Sequence, residues 1–220
     1  MPEVQARRRS GLLQERSRRT RQQLVRAALD LWAERGFETG VADTTVEEIV
    51  ERAGVTKGTF YFHFSRKEEI LQEMALDTAE VAVREAERCV KASRSFDTAL
   101  TRVLSALARH VRAAPPAAVA RAVAEIRRSP QAAAVPPRAT FREAFEVVFA
   151  WAQRGGELPA DADPGELAAM LQALAMDSIL DWTEGHGDLL PSLRKRSDLI
   201  VRGIQTVAAR SAGTASAGAT

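Results

Sequence analysis

Residues 45–71 read TVEEIVERAGVTKGTFYFHFSRKEEIL, and this stretch decides the fold of the N-terminal part of the chain. Thr45 and Glu48 have the spacing of a capping box, which predicts that a helix begins after Thr45. Gly54 can adopt the positive φ of a tight turn, so this helix should end there. Thr56 can cap a second, very short helix that runs to about His63. Two helices joined by so tight a turn are typical of a helix-turn-helix.

The second of these helices has one apolar side and one polar side. Phe60 and Phe64 lie four residues apart on a common face and should pack inward. The side chains expected on the exposed face are all hydrogen-bond donors: Thr56, Lys57, Thr59, Tyr61 and His63. A short helix with donors on its exposed face fits the major groove of DNA. A plain helical hairpin whose polar face only meets water has the same periodicity, so the pattern alone leaves both interpretations open.

The longer string TTVEEIVERAGVTKGTFYFHFSRKEEIL, residues 44–71, resembles the DNA-binding signature of the tetracycline-repressor (TetR) family. The resemblance runs from about Thr20 to Met74, and residues 53–70 are its most specific part. It implies an all-α fold in which an N-terminal three-helix DNA-binding domain with a helix-turn-helix precedes a larger helical domain. The larger domain would bind a ligand and form a dimer, and the whole chain would have about nine helices.

The resemblance also implies roles at the DNA for the matching positions. Thr45 would present its hydroxyl and backbone N–H to a phosphate, which the positive end of a helix dipole favours. Gly58 has no side chain, so the backbone could approach the groove closely. Lys67 matches the lysine that holds a phosphate at the start of the fourth helix. The expected DNA-binding residues are Thr45, Thr56, Lys57, Gly58, Thr59, Tyr61, His63 and Lys67.

Two features depart from the family pattern. Gly36 and Thr44 are eight positions apart, which is longer than the usual spacing, because Glu38 to Asp43 lengthen the connection between the first two helices. The tilt of the second helix is therefore left open. Phe62 stands where the family often has an aromatic side chain with a polar edge, so one possible phosphate hydrogen bond is lost.

Apolar residues recur at helical spacing along the rest of the chain, and glycine, proline and capping residues mark the helix ends. A first helix is predicted over about residues 20–35, and a fourth over about residues 67–90. Five more helices are predicted, with approximate bounds of 96–112, 117–128, 141–155, 163–185 and 191–209. Three prolines between Ser129 and Pro137 predict a loop there.

The chain is expected to have four parts that differ in composition and charge. They are a disordered basic arm (1–15), a helix-turn-helix DNA-binding domain (16–66), a ligand-binding and dimerisation domain (67–210) and a disordered tail (211–220). Residues 1–21 carry a net charge of +5, whereas residues 67–220 carry −1. A basic head on a near-neutral body suggests a polyanionic partner at that end, here a double-stranded DNA operator.

Composition and cysteine usage exclude several classes of protein. The chain is 45% hydrophobic and 27% charged, which is ordinary for a soluble globular protein. No apolar run approaches the roughly 20 residues that span a bilayer, so we expect a cytoplasmic protein with no membrane partner. Cys89 is the only cysteine, which excludes an internal disulfide and a cysteine-based zinc site. A buried thiol is expected there.

The sequence contains no catalytic motif of the HExxH, GxSxG or Walker type and no paired-carboxylate pattern. The chain is therefore expected not to be an enzyme and to have no catalytic residue, metal site or cofactor. His110 and His186 are isolated, and we interpret them as ordinary surface or core residues. An enzyme on a helical scaffold is the alternative from another functional class, and it would need a converging acid, base or nucleophile.

The larger domain carries apolar stripes that could surround a ligand. Phe141, Phe145 and Phe149 recur every four residues, and the helix over residues 96–112 offers a facing stripe. A filled core would show the same stripes. The residues expected to contact a small, mainly apolar or amphipathic effector are Leu100, Leu104, Leu107, Phe141, Phe145, Phe149, Met170, Leu174, Asp177 and Trp182.

The resemblance assigns the last two helices to the four-helix bundle of a homodimer. Such a dimer would bind a pseudo-palindromic operator as a repressor, and an effector entering through a portal at Ser129 to Pro137 would release it. Asp177 and Asp181 lie in a largely apolar helix, so at least one should face a polar ligand group or the dimer axis. The same DNA-binding dimer without a small-molecule ligand is the main alternative.

Overall fold

The computed structural model describes the backbone of residues 2–128 and 139–217, and all regular structure in these ranges is α-helical. The helices are α1 (Pro2–Arg35), α2 (Gly40–Asp43), α3 (Val46–Ala53), α4 (Lys57–His63), α5 (Glu69–Lys91), α6 (Phe96–Val111), α7 (Pro116–Arg128), α8 (Phe141–Arg154), α9 (Pro164–Thr183) and α10 (Leu189–Ala217). The predicted all-α fold is confirmed. The described residues contain ten helices instead of about nine, because α2 was not predicted.

The chain divides into two compact units, Met1–Met74 and Ala75–Thr220, which we call unit 1 and unit 2. In unit 1, α1 packs against α2 and α3, and α3 packs against α4. The core of unit 1 includes Leu24, Trp32, Ile49 and Phe60, all without exposed surface. These residues come from the apolar faces of α1, α3 and α4, so the helix-turn-helix is fixed on the C-terminal part of α1.

The longer connection between the first two predicted helices contains the short helix α2. Gly40 at its start approaches α1 so closely that an added β-carbon would lie 3.0 Å from the carbonyl oxygen of Trp32. Phe37 and Val41 are buried beside it. The connection is therefore a packed element, which a glycine makes possible by removing the side chain at the contact.

Both ends of the described chain are more helical than the sequence predicted. Helix α1 begins at Pro2 instead of near residue 20, so the predicted disordered arm, residues 1–15, is helical from Pro2 onward. Arg, Gln, Glu and Leu in this segment have high helix propensity, and proline suits a first helical position. Helix α10 likewise continues to Ala217, so the predicted disordered tail, residues 211–220, is helical as far as that residue.

Three parts of the chain lie outside the described residues. They are Met1, residues 129–138 and residues 218–220. The predicted loop and portal at Ser129 to Pro137 therefore stay predictions.

In unit 2, α9 packs against α7, α8 and α10, and α6 packs against α8 and α10. Phe145 and Phe149 of α8 and Leu107 of α6 are fully buried at the centre of this core. Cys89 is a buried free thiol, as expected. None of the helices in the described ranges is both long and apolar enough to cross a membrane.

Candidate nucleic-acid interface

The predicted capping box at the start of α3 is confirmed. The backbone N–H of Glu48 donates to Thr45 Oγ1 at 3.3 Å, and the backbone N–H of Thr45 donates to Glu48 Oε2 at 2.8 Å. The Thr45 hydroxyl is also 3.0 Å from Glu48 Oε2. Both donors that the sequence assigned to a phosphate are therefore bound within the protein, and a phosphate at Thr45 would have to displace Glu48.

The turn between α3 and α4 has the backbone that the sequence predicts. Gly54 adopts φ 67°, a left-handed conformation that favours glycine, and ends α3. The N–H of Val55 then donates to the carbonyl of Val50 at 3.0 Å. Thr56 caps α4 by accepting from the N–H of Thr59 at 3.2 Å. These local hydrogen bonds fix the angle at which α4 leaves α3.

Two neighbouring ion pairs hold α3 on α1, and each helix supplies the arginine of one pair and the glutamate of the other. Arg52 donates to both carboxylate oxygens of Glu34 at 2.8 and 3.0 Å, and Arg35 binds both oxygens of Glu48. The hydrogen bond from Arg35 and the backbone N–H of Thr45 lower the pKa of Glu48 to about 2. Glu48 thus joins the N-terminus of α3 to the C-terminus of α1.

The two faces of α4 divide largely as predicted. Phe60 and Phe64 are buried, whereas Tyr61 is 57% exposed. The side chains of Thr56 and Lys57 are also exposed, but Thr59 and His63 are only half exposed. Phe62, which the sequence analysis treated only as a lost hydrogen bond, is 79% exposed. The outer face of α4 therefore combines an ammonium group, a phenol and a bare aromatic ring.

The C-terminal end of α4 is held by Arg21, a residue that the sequence analysis counted only as one of the basic residues near the N-terminus. Its guanidinium donates to the carbonyl oxygen of His63 at 2.9 Å and pairs with Glu73 at 2.6 Å. It also lies 4.3 Å from the centre of the Phe64 ring. Burial, and then the nearby Arg21 charge, lower the pKa of His63, which favours the neutral form of its ring.

The ammonium group of Lys67 is also bound within unit 1. Nζ donates to the carbonyl oxygens of Ala42 and Thr44 at 2.8 and 2.6 Å. Lys67 therefore ties the segment before α3 to the start of α5, whereas the sequence assigned it only to a phosphate. An ammonium has three donors, so one can still reach a phosphate.

Lys57, the first residue of α4, forms an ion pair with Glu47 of α3. No signal in the local pattern pointed to this partner. The predicted DNA-binding residues thus lie together around α3 and α4. Several of them already form hydrogen bonds or ion pairs with other residues of the same chain.

The residues proposed to bind an effector do not converge on one cavity in unit 2. Leu100, Leu104, Leu107, Phe145 and Phe149 are buried in the packed core. The side chains of Phe141, Leu174 and Trp182 are partly buried against that core, whereas Met170 is 52% exposed on α9. For most of these residues the structure therefore matches the alternative of a filled core.

Asp177 and Asp181 both face Arg196 of α10. Arg196 lies 2.7 Å from Asp177 Oδ2 and 2.6 Å from Asp181 Oδ2. Its guanidinium also donates to the hydroxyl of buried Ser178 at 2.8 Å. The two carboxylates in an apolar helix are thereby explained within the chain.

The described residues of unit 2 line at least two openings large enough for a small molecule or a side-chain cluster. One is a cavity of about 380 Å³ between α6 and α10, lined by Phe96, Asp97, Leu100, Thr101, Leu104, Glu157, Arg194, Ser197, Asp198, Val201 and Arg202. The other is an apolar groove of about 570 Å³ on α9 and α10, lined by Pro159, Asp161, Ala162, Leu167, Met170, Leu199, Ile200, Gly203 and Ile204. Leu100 and Leu104 are the only predicted effector residues that line the first opening.

The described residues show no arrangement for metal chemistry, since they contain no group of three His, Cys, Asp or Glu that could hold a metal ion. His110 is half buried, and exposed His186 pairs with Glu184 at 3.5 Å.

Comparison with known proteins identifies the N-terminal region by sequence. Residues 24–74 match the family model described as "Bacterial regulatory proteins, tetR family". The HTH-type transcriptional regulator TcmR of Streptomyces glaucescens is 48% identical over 60 residues, which are 27% of this chain and 25% of TcmR. TtgR of Pseudomonas putida is 44% identical over 61 residues, 27% of each chain. The chain thus matches about a quarter of the length of these curated relatives.

Solved structures extend the similarity to the fold of the whole chain. FadR of Thermus thermophilus, a TetR-family repressor solved with lauroyl-CoA, has a TM-score of 0.66 at 22% identity, covering 84% of this chain and 94% of FadR. The TetR regulator TylP of Streptomyces fradiae has a TM-score of 0.54 at 25% identity, covering 85% and 87%. Residues 24–74 therefore match the tetR family of bacterial regulatory proteins by sequence, and the chain shares its helical fold with solved TetR-family structures.

Proposed function

We propose that the chain is a sequence-specific DNA-binding transcriptional regulator that inserts α4 into the major groove of an operator. The observation that carries this proposal is the outer face of α4. Lys57, Tyr61 and Phe62 project from a short capped helix, and Gly58 leaves its backbone accessible. Both ends of α4 are held, by Thr56 at its start and by Arg21 at its end. A rigid, protruding helix of this kind can read base edges.

Phosphate contacts would come mainly from outside the helix-turn-helix. Arg16, Arg18 and Arg19 of α1 are exposed, whereas Arg52 is paired with Glu34. Contacts to phosphates position a protein on DNA, and contacts to bases select the sequence. We therefore assign positioning to α1 and selection to α4.

The regulator acts as a homodimer in this proposal, and the apolar groove on α9 and α10 is its contact surface. Met170 and Leu199 are 52% and 65% exposed in the single chain, although both are large apolar side chains. An exposed apolar patch on two adjacent helices is typical of a protein interface. Because a two-fold interface is self-complementary, two copies of this groove can cover each other.

The effector site that we favour is the cavity between α6 and α10, and not the predicted site around Phe145. Its floor is apolar at Leu100 and Leu104, and Arg194 and Asp198 lie among the charged groups that line it. A volume of about 380 Å³ is near the lower end of the range for small-molecule sites. The effector would therefore be a compact amphipathic molecule. FadR of Thermus thermophilus, which shares this fold, was solved in complex with lauroyl-CoA, and this supports the binding of an effector by the chain.

A regulator without a small-molecule ligand is the second candidate, and the complete burial of Phe145 and Phe149 favours it. In that case unit 2 would serve only dimerisation. An enzyme on this scaffold has no comparable support in the described residues.

DNA binding is tested by selection from a random-sequence duplex pool with the full chain. We expect enrichment of a pseudo-palindrome whose half-sites are centred about 34 Å apart or a multiple of it. Arg18→Ala, at an exposed position of α1, should weaken binding to all sequences alike and flatten the salt dependence by up to about one unit for each DNA-bound protomer. A pool that shows no enrichment would remove the proposed function.

The effector site is tested by thermal-shift screening of compact amphipathic compounds against two variants of α6. Thr101→Phe would fill the cavity, and Thr98→Phe adds the same ring one turn away, outside the cavity lining. A true effector should raise the unfolding temperature of the parent and of Thr98→Phe but not of Thr101→Phe. If no compound distinguishes the two variants, the regulator without a ligand is favoured.

A further inference from the structure

The helix-turn-helix itself is poor in available positive charge. Between Thr45 and Phe64 the only Lys or Arg residues are Arg52 and Lys57, against Glu47, Glu48 and Glu51. Arg52 is bound by Glu34, and Lys57 is bound by Glu47. Each cation of the segment that meets DNA in the proposed function is therefore already paired with a carboxylate.

The pair of Glu47 and Lys57 lies at the point where α3 and α4 both begin. Glu47 is the second residue of α3 and Lys57 the first residue of α4, and their side chains are 58% and 54% exposed. The hydrogen bond between them raises the pKa of Lys57 and lowers the pKa of Glu47. A cation at a helix N-terminus opposes the helix dipole, and the Glu47 carboxylate compensates for this.

The fold of unit 1 does not depend on this pair. The α3–α4 turn is held by Gly54 and by the cap at Thr56, and buried Phe60 packs α4 on the core. Ion pairs between exposed side chains contribute little to stability, so the pair can open at low cost. Its position at the exposed end of α4 therefore suggests a role in DNA binding and not in folding.

Lys57 can bind either a phosphate or a base edge, and the Glu47 carboxylate affects the free energy of the two contacts differently. If Lys57 turns to a phosphate, the freed Glu47 carboxylate is left close to the anionic backbone and repels it. A guanine in the groove offers the O6 and N7 acceptors without a negative charge on the base, so the ammonium can bind them with Glu47 still near. Glu47 therefore penalises phosphate binding by Lys57 more than base binding.

We propose that Glu47 is a specificity-determining residue, which holds the Lys57 ammonium in place for a base edge and suppresses binding to DNA of arbitrary sequence. This inference rests on the proposed DNA-binding function. The partner chemistry is a guanine edge in the major groove, and the competing ligand that Glu47 disfavours is the phosphate backbone.

The test compares Glu47→Gln with Glu51→Gln, which removes the same charge four residues further along the same face of α3. Affinity is measured for a mixed-sequence duplex and for the selected operator over a range of salt concentrations. Glu47→Gln should raise mixed-sequence affinity about fivefold and steepen its salt slope by about 0.9 for each DNA-bound protomer, as one more phosphate contact per protomer would. Operator affinity should rise less, so the ratio of operator to mixed-sequence affinity falls. Glu51→Gln should change that ratio less than twofold.

A double-mutant cycle connects the effect to Lys57. In the Lys57→Ala background, Glu47→Gln should no longer change mixed-sequence affinity. The proposal would be overturned if the two glutamine variants had equal effects on affinity, or if the effect of Glu47→Gln persisted without Lys57. Either result would mean that the change in net charge alone alters DNA affinity. If the parent protein selects no DNA sequence, the proposed function fails. If it does and Glu47→Gln leaves the affinity ratio unchanged, only the role of Glu47 fails.

Discussion

At Gly58 the helix α4 has no side chain, and only the Thr56 hydroxyl, at 3.8 Å, lies near the position where a β-carbon would stand. Alanine is therefore accommodated in the free protein, and it favours a helix over glycine by roughly 0.5–1 kcal/mol. DNA binding would instead require that residue 58 has no side chain, if the backbone of α4 enters the groove at this point. A substitution at this residue should therefore change operator affinity without lowering the free energy of unfolding.

We predict that Gly58→Ala leaves the free energy of unfolding unchanged or slightly higher while operator affinity falls by about tenfold. The added methyl group would stand between α4 and the base edges. Chemical unfolding and operator titration on the same sample check both parts. Gly54→Ala is the control, because Gly54 has φ 67° and should lose stability when replaced. Undiminished operator affinity in Gly58→Ala would exclude a close approach of the helix backbone at this point.

Phe145 tests whether the predicted effector stripe is core. Because its ring has no exposed surface, Phe145→Ala should lower the free energy of unfolding by about 3–5 kcal/mol. The exposed Phe62→Ala should stay within about 0.5 kcal/mol of the parent. Denaturant titration distinguishes them, and a small loss at Phe145 would indicate a loosely packed site that can open for a ligand.

At the scale of the element, α3 and α4 are held at their ends by residues distant in sequence. Arg21 binds the last carbonyl of α4, Lys67 binds the carbonyls before α3, and Glu48 joins α3 to Arg35. The capping box and the glycine turn could be predicted, because each involves residues within four positions of one another. The partners of Arg21 and Lys67 could not, because they depend on tertiary packing that a single sequence does not reveal. The same holds for α2, whose only local signals are Phe37, Gly40 and Val41 in a short stretch.

Acid should loosen the attachment of α3 to α1. The pKa of Glu48 is about 2 in the folded protein against 4.5 ordinarily, so its contribution to stability is present above pH 4.5 and is lost as the pH falls toward 2. Glu48→Gln should therefore make the unfolding temperature less dependent on pH in that window. Glu51→Gln, at an exposed position of the same helix, should keep the dependence of the parent. A parent and a Glu48→Gln variant with identical pH profiles would show that the pair with Arg35 does not persist in solution.

Arg21 should matter for α4 through three contacts at once. Arg21→Lys keeps the positive charge, but an ammonium lacks the planar guanidinium that donates to the His63 carbonyl and to Glu73 at the same time. We expect it to lower operator affinity more than mixed-sequence affinity, because a displaced α4 misaligns base contacts while the phosphate contacts persist. Arg19→Lys, on an exposed residue of the same helix, is the matched control. Equal losses on both DNA probes for Arg21→Lys would assign Arg21 to general stability alone.

For the whole molecule, the proposed dimer would connect the apolar surface of α9 and α10 with the proposed DNA-binding function. Two copies that share this surface would present two α4 helices to a two-fold symmetric operator. Fold class and helix periodicity could be predicted from the sequence, since they depend on local pattern. Whether the apolar stripe of α8 forms a filled core or a cavity wall could not be predicted, because the two have the same pattern and packing decides between them.

Leu199→Lys should convert the dimer into a monomer. The change places a charge at a side chain of the apolar groove that is 65% exposed in the single chain, and the proposed dimer would bury that charge. Sedimentation should show twice the 24.0 kDa chain mass for the parent and for Leu199→Met, and a single chain mass for Leu199→Lys. A parent that sediments as a monomer would contradict both the interface and the pseudo-palindromic operator.

The most direct test of DNA reading by α4 is the sequence preference of Lys57→Ala against that of the parent, measured by selection from the same random pool. Lys57 stands on the outer face of α4 and is the candidate for a base contact. We predict that the variant loses preference at one symmetry-related pair of base positions and retains it elsewhere, with about 1–3 kcal/mol of discrimination lost there. An unchanged preference with uniformly weaker binding would contradict the placement of α4 in the major groove.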